Sequence, residues 1–246
     1  MAEEDSVPTP IAQDDPRVAI PLFSAREVAR YLRVPSSTMR NWVRGYEYPS
    51  GNGTSTSRAI VTSVPPSRPS NATIPFVGLA EALVVAGFRQ KRLSMQKVRA
   101  ALAAIDQEVG LAYVLANKTL YTDGASILWD YARKIDDDDI RQLVEPHAGQ
   151  TVFVPAVEQY LRLVTYDSKW WASQIELPAF QPTRVVVDLR REYGRPILDK
   201  QRLSVATLLE RWYISHDTIN DIAMDLELDP GEVENVIRAA WRPAAA

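Results

Sequence analysis

Apolar residues recur at spacings of three and four along most of this chain, in short blocks set apart by proline, glycine and serine. That period predicts a mainly helical protein. The first block is Phe23-Ser24-Ala25-Arg26-Glu27-Val28. Ser24 and Glu27 fit a capping box, and Phe23 and Val28 stand at the staple positions around it. Val28, Ala29, Tyr31 and Leu32 continue the stripe, so this helix should run to about Leu32. Arg33-Val34-Pro35 is a break. A second helix follows over roughly residues 36–44, ended by Gly45. It carries Met39, Trp42 and Val43 inward and Ser37, Arg40 and Arg44 outward. Two short helices on a tight turn are the helix-turn-helix plan.

Residues 50–75 are rich in Ser, Thr, Gly, Pro and Asn. Two β-prone runs, 57–62 and 72–76, predict a wing closed by the loop 65–71; the other reading is an open linker. Helices are then predicted over about 78–89 and from Ser94 to the stop at Gly110, with Val98, Leu102, Ile105 and Val109 on one stripe. Residues 125–133 read as a short helix or a strand, 136–139 as a solvated acidic loop, and 151–154 as a strand. Val154, Val157, Leu161 and Val164 predict a helix ending near Tyr166. Pro178 and Pro182 predict a linker. Residues 184–188 read as a strand, and 194–198 as a turn into another. Helices are predicted from Ser204 to about Trp212, from Thr218 to Leu226, and beyond Asp229-Pro230 with Val233, Val236, Ile237 and Ala240 inward.

Charge sharpens this picture. The 246 residues carry a net −3, but residues 22–100 hold twelve bases against three acids. Residues 1–21 hold one base against five acids, and residues 101–246 fifteen against twenty-three. A +9 segment on an acidic protein is the footprint of a polyanion-binding module, or else a basic face docked on the acidic half. The hydroxyls of Ser36, Ser37 and Thr38 and the guanidinium groups of Arg40 and Arg44 are of the kind that bond phosphates and guanine edges of duplex DNA. Arg26, Arg58, Arg68, Lys91 and Arg92 are candidates for further backbone contacts.

Other chemistries are disfavoured. Zero cysteine excludes disulfides, thiolate zinc sites and a cysteine nucleophile. His147 and His216 lie too far apart in sequence to suggest a metal cage. No glycine-rich phosphate loop, G-x-S-x-G or histidine-centred triad occurs, so neither catalysis nor a cofactor is expected. Scattered carboxylates such as Asp188 and Asp217 are what an enzyme reading would have to use. No apolar run approaches the roughly 18–20 residues of a membrane span. The acidic, proline-containing residues 1–21 read as a disordered tail, the opposite of a secretory signal. A cytoplasmic protein with no membrane contact is expected. Its parts would be a DNA-binding domain (22–100), a helical connecting and dimerisation region (101–182), and a small C-terminal helical domain with one or two short strands (183–246).

Residues 23–49 (FSAREVARYLRVPSSTMRNWVRGYEYP) resemble the MerR-like winged helix-turn-helix, and the helices over 79–108 resemble the region after the wing in such proteins. Pro35 stands where a capping Ser or Asp is usual; Ser36 is then the candidate cap. Residues 183–240 resemble the domain-of-unknown-function-433 family of small antitoxin domains. The match lies in Val185-Val186-Val187-Asp188, Gly194-Arg195-Pro196-Ile197, the run RLSVATLL at 202–209, Ile222-Ala223 and Glu232-Val233. Leu189 and Lys200-Gln201 depart from it, standing where Pro and a Gly-Thr pair are common. Together the two parts resemble the long VapB-type antitoxins of type II toxin–antitoxin operons. That resemblance implies a VapC-type partner toxin with a PIN-like ribonuclease fold and repression of the operon's own promoter. It also implies a homodimer on operator DNA and a toxin–antitoxin hetero-oligomer. Arg195, Arg202, Trp212, Tyr213 and Trp241 would contact the toxin, though the aromatics read equally well as plain core. The alternative is a MerR-like regulator answering to a small molecule through residues 101–240.

Overall fold

The computed structural model describes residues 10–50, 53–66, 71–90, 94–147 and 150–241. The chain opens with α1 (Pro16–Ala19), capped by Asp15, and buries Val18. Residues 10–21 are therefore ordered, against the expectation of a disordered tail. Arg17 holds them down, pairing with Asp15 at 2.7 Å and with the distant Asp167 at 2.8 Å.

Helix α2 (Ala25–Leu32) starts on the full capping box of Ser24 and Glu27 and buries Val28, Ala29, Tyr31 and Leu32. It ends at Arg33, whose φ of 56° is left-handed. Helix α3 (Ser36–Arg44) follows at once and buries Met39, Trp42 and Val43. Ser36 is its first helical residue and Pro35 its N-cap, with no side-chain cap at all; the serine does not take over the role. Gly45 ends the helix in a conformation only glycine adopts with ease, φ 73° and ψ −176°.

The strands of this region lie elsewhere than expected. A hairpin of β1 (Tyr46–Ser50) and β2 (Gly53–Ser57) follows Gly45 directly, pairing Tyr46 with Ser57. Residues 57–62 and 72–76 do not form a second pair of strands. Ile60 and Val61 instead both donate to the Trp42 carbonyl, at 2.8 and 3.1 Å, and Ile74 bridges Phe23. The orphan carbonyls at the end of α3 thus captured this segment before a sheet partner did.

Helix α4 (Phe76–Arg89) is apolar on every side and is buried along almost its whole length, which marks it as the central helix. Around it lie α5 (Met95–Val109), α6 (Lys118–Ile135) and the short α7 (Asp138–Arg141). Residues 125–133 belong to α6, a long helix whose start at Asn117 carries no apolar period. Asp136–Asp139 do not form an open loop: Asp137 caps α7, and Lys97 and Arg141 pair with these acids. A hairpin of β3 (Val144–His147) and β4 (Gln150–Phe153) leads into α8 (Pro155–Leu161). Helix α8 packs on α4 so closely that a Cβ at Gly87 would lie 3.0 Å from the Tyr160 Cβ.

The helix expected to reach Tyr166 stops at Leu161. Val164 opens β5 (Val164–Tyr166), the first strand of a five-stranded antiparallel sheet. The others are β6 (Ala172–Glu176), β7 (Val185–Asp188), β8 (Ile197–Leu198) and β9 (Leu203–Ser204), paired in chain order. One or two strands were expected in residues 183–246, where three occur (β7, β8 and β9), and the sheet extends beyond them because β6 pairs with β7 across position 183. Residues 178–182 are not a linker either. Ala179 and Phe180 are buried there, and the Phe180 ring meets Tyr31 of α2 at 6.1 Å. Three helices close the chain: α9 (Val205–Tyr213), α10 (Ile219–Asp225) and α11 (Pro230–Trp241). Among the described residues no helix is long and apolar enough to cross a membrane.

Candidate nucleic-acid interface

The outward face of α3 follows from its inward one. Met39 and Trp42 are locked into the core, so residues between them must point away. Ser37, Arg40, Asn41 and Arg44 are exposed at helical spacings, while Ser36 and Thr38 are half-buried beside them. Phe23 supports the unit from behind, meeting Tyr31 edge-on at 5.9 Å. Among the described residues neither Arg40 nor Arg44 has an ion-pair partner, and Arg26, exposed in the first turn of α2, has none either. These three cations are open to an outside anion. Asn41 was missed in the sequence. It shares the exposed face with Arg40, and its amide is of the kind that pairs with an adenine edge.

The other arginines of this unit are committed inward. Arg30 donates to the Ala240 carbonyl at 3.1 Å and lies over the Tyr31 ring; Arg33 donates to the Ala179 carbonyl at 2.9 Å. The positive charge of the segment is thus divided. One part ties α2 to the C-terminal half, and the other part faces out.

The β1–β2 hairpin stands next to α3 and is held from α5. Arg99 lies over the Tyr46 ring at 5.9 Å and donates to the Arg58 carbonyl. Arg58 itself is exposed just past the hairpin. Arg68, Lys91 and Arg92 lie outside the described residues. Behind this connection sits Glu81 of α4, 6% exposed, accepting from the Thr62 backbone N–H at 2.6 Å and its hydroxyl at 3.0 Å. Burial pushes this carboxyl up to about 7, and the two Thr62 hydrogen bonds only partly oppose it.

At the other end, Arg195 and Arg202 are exposed. Trp212 is half-buried and packs on the core. Tyr213 and Trp241 are brought together, stacked at 5.8 Å and 24° with Trp241 73% exposed. Asp188 and Asp217 each have their own arginine, Arg190 at 2.9 Å and Arg211 at 2.6 Å. Among the described residues no group of three or more His, Asp or Glu side chains is placed to hold a metal ion.

Comparison with known proteins bears on this arrangement. Residues 21–102 match the family described as "Putative DNA-binding HTH domain". A curated protein of Mycobacterium tuberculosis (strain ATCC 25618 / H37Rv), "Putative antitoxin VapB45", is 35% identical over 229 residues, covering 91% of this chain and 95% of the relative. The chain belongs to the VapB45 antitoxin family. A crystal structure of Rv2018 from Mycobacterium tuberculosis matches with a TM-score of 0.74 at 33% identity, over 89% of this chain and 97% of that one. The VapB45 relative is matched over both the helix-turn-helix and the C-terminal half, so the likeness is not confined to one module.

Proposed function

We propose that this chain is the antitoxin of a type II module, acting in the cytoplasm. In this reading it represses its own promoter through α3 and neutralises a PIN-like, VapC-type ribonuclease by direct binding. The observation that carries the DNA half is the exposed face of Ser37, Arg40, Asn41 and Arg44, whose arginines have no ion-pair partner among the described residues. Laid in a major groove, such a face puts hydroxyl, amide and guanidinium donors against base edges and phosphates. Arg26 and Arg58 reach the backbone on either side. A homodimer sets two such faces on half-sites about one helical turn apart. A non-enzymatic regulator is the reading that the antitoxin relative and the helix-turn-helix family support.

The test is a promoter-fragment titration at several salt concentrations. Each phosphate contact removed lowers the slope of log K against log salt by about 0.9. Arg40→Ala with Arg44→Ala therefore takes about two from the slope per helix-turn-helix and weakens binding tenfold or more. Affinity and slope equal to those of the unchanged chain would end the DNA reading.

A further inference from the structure

Where α2 meets the C-terminal half, the two do not close completely. A cleft of about 350 Å³ remains between α2, the turn before β8, the start of α9 and Ala240 of α11. Its floor is aromatic. Phe23, Tyr31 and Phe180 line it, touching as an edge-on pair at 5.9 Å and a tilted pair at 6.1 Å. Leu22 and Leu209 extend the apolar surface.

Its rim carries two arginines, one from each half of the molecule. Arg30 of α2 spends Nη1 on the Ala240 carbonyl. Its Nε is buried and has no hydrogen-bond partner among the described residues. A buried donor left in that state costs stability until an acceptor reaches it. Arg195 stands across the cleft, exposed and without an ion pair among the described residues. The one carboxylate on the wall, Glu27, already accepts from the Ser24 backbone N–H at 2.8 Å and its hydroxyl at 2.7 Å. The lining is therefore net positive, and its spare hydrogen-bonding capacity lies with the cations.

We propose that this cleft is a binding site for a small aromatic monocarboxylate. An arginine presents Nε and Nη2 side by side, the fork that takes a carboxylate in two parallel bonds. The acid group sits on that edge of Arg30, with Arg195 closing over it. The ring lies on Phe23, Tyr31 and Phe180, where an aromatic face finds edge and face partners. A cavity of this size takes a molecule of one or two rings. Because Arg30 and Arg195 belong to different halves, the bound acid fastens α2 to the C-terminal sheet. This site goes beyond the antitoxin reading and does not depend on it.

The test titrates the full chain by calorimetry with 2-naphthoate, the uncharged 2-naphthamide, and acetate, and follows the melting temperature alongside. Naphthoate binds at one site per chain and raises the melting temperature with its concentration. Naphthamide and acetate each bind about tenfold more weakly or worse, having lost the charge or the ring. Arg30→Lys keeps the charge, removes the fork and weakens naphthoate by about tenfold. Arg30 also holds Ala240, so two exposed positions serve as controls for folding. Arg195→Ala removes the second cation, and Ala206→Trp fills the cleft from the first turn of α9. Both melt like the unchanged chain without ligand and lose naphthoate binding by about tenfold or more. No saturation by about 10 mM naphthoate overturns the proposal. Acetate binding as tightly as naphthoate overturns it too, since the rim alone would then be at work. So does naphthoate binding that survives intact in Arg195→Ala and Ala206→Trp, which would place the acid elsewhere. None of these measurements involves DNA or a toxin, so their failure leaves the antitoxin reading standing.

Discussion

Replacing Glu81 with glutamine should make this protein more stable at neutral pH, despite removing a residue with two good hydrogen bonds. The side chain lies in the apolar wall of α4, and its carboxyl is displaced by burial from 4.5 to about 7. A raised pKa means that the fold prefers the protonated acid. Relative to a non-titrating residue, the wild type keeps its full stability below pH 4.5, loses it between about 4.5 and 7, and is level above that. The displacement corresponds to about 3 kcal/mol at pH 8. Glutamine is isosteric, still accepts from the Thr62 N–H, and carries no charge. At roughly 2–4 °C per kcal/mol for a chain of this size, the variant should melt about 6–12 °C higher at pH 8. Near pH 4.5 the two should nearly coincide. The difference between the two curves isolates Glu81, because every other carboxylate is common to both. Thermal melts followed by circular dichroism across this range would decide it. Parallel curves would refute the reasoning, and so would a variant less stable at pH 8 than at pH 5 relative to the wild type.

Three further outcomes follow from the same structure. Gly45→Ala should cost more than about 3 kcal/mol and abolish operator binding, because φ is +73° and the new Cβ would meet the Ser57 carbonyl at 2.2 Å; a small change in urea midpoint would count against it. Asp188 is buried, which would raise its pKa, but the Arg190 guanidinium and backbone N–H outweigh this and hold it low. Asp188→Asn should therefore lose stability at pH 7, by a modest amount because Arg190 is largely exposed, and the gap should close as pH falls through the lowered pKa of the wild-type acid; a gap that widens in acid would show the sign to be wrong. Glu227→Gly relieves a left-handed residue in the α10–α11 turn, at φ 54°, and should add about 0.5–1 kcal/mol, read as a higher denaturation midpoint.

Helices with their own start and stop signals were set by the sequence alone. Ser24 with Glu27, Gly45, Ser94 and Gly110, and Thr218 act on backbone groups within a few residues, so their effect does not depend on the rest of the fold. The division of the chain into inward and outward positions on α3 is equally local, and with it the exposure of Arg40 and Arg44. What tertiary structure decided was every contact between distant segments. The Trp42 carbonyl drew in Ile60 and Val61, so the hairpin formed at 46–57 instead. Val164 kept the helical spacing of Val157 and Leu161 but found Ile175 across a sheet. Arg30 and Arg33 look like Arg40 and Arg44 in sequence, yet carbonyls of Ala240 and Ala179, 210 and 146 residues away, took up the first pair. A period of three or four records which side of a helix is apolar; it carries no information on what that side, or a free guanidinium, will meet.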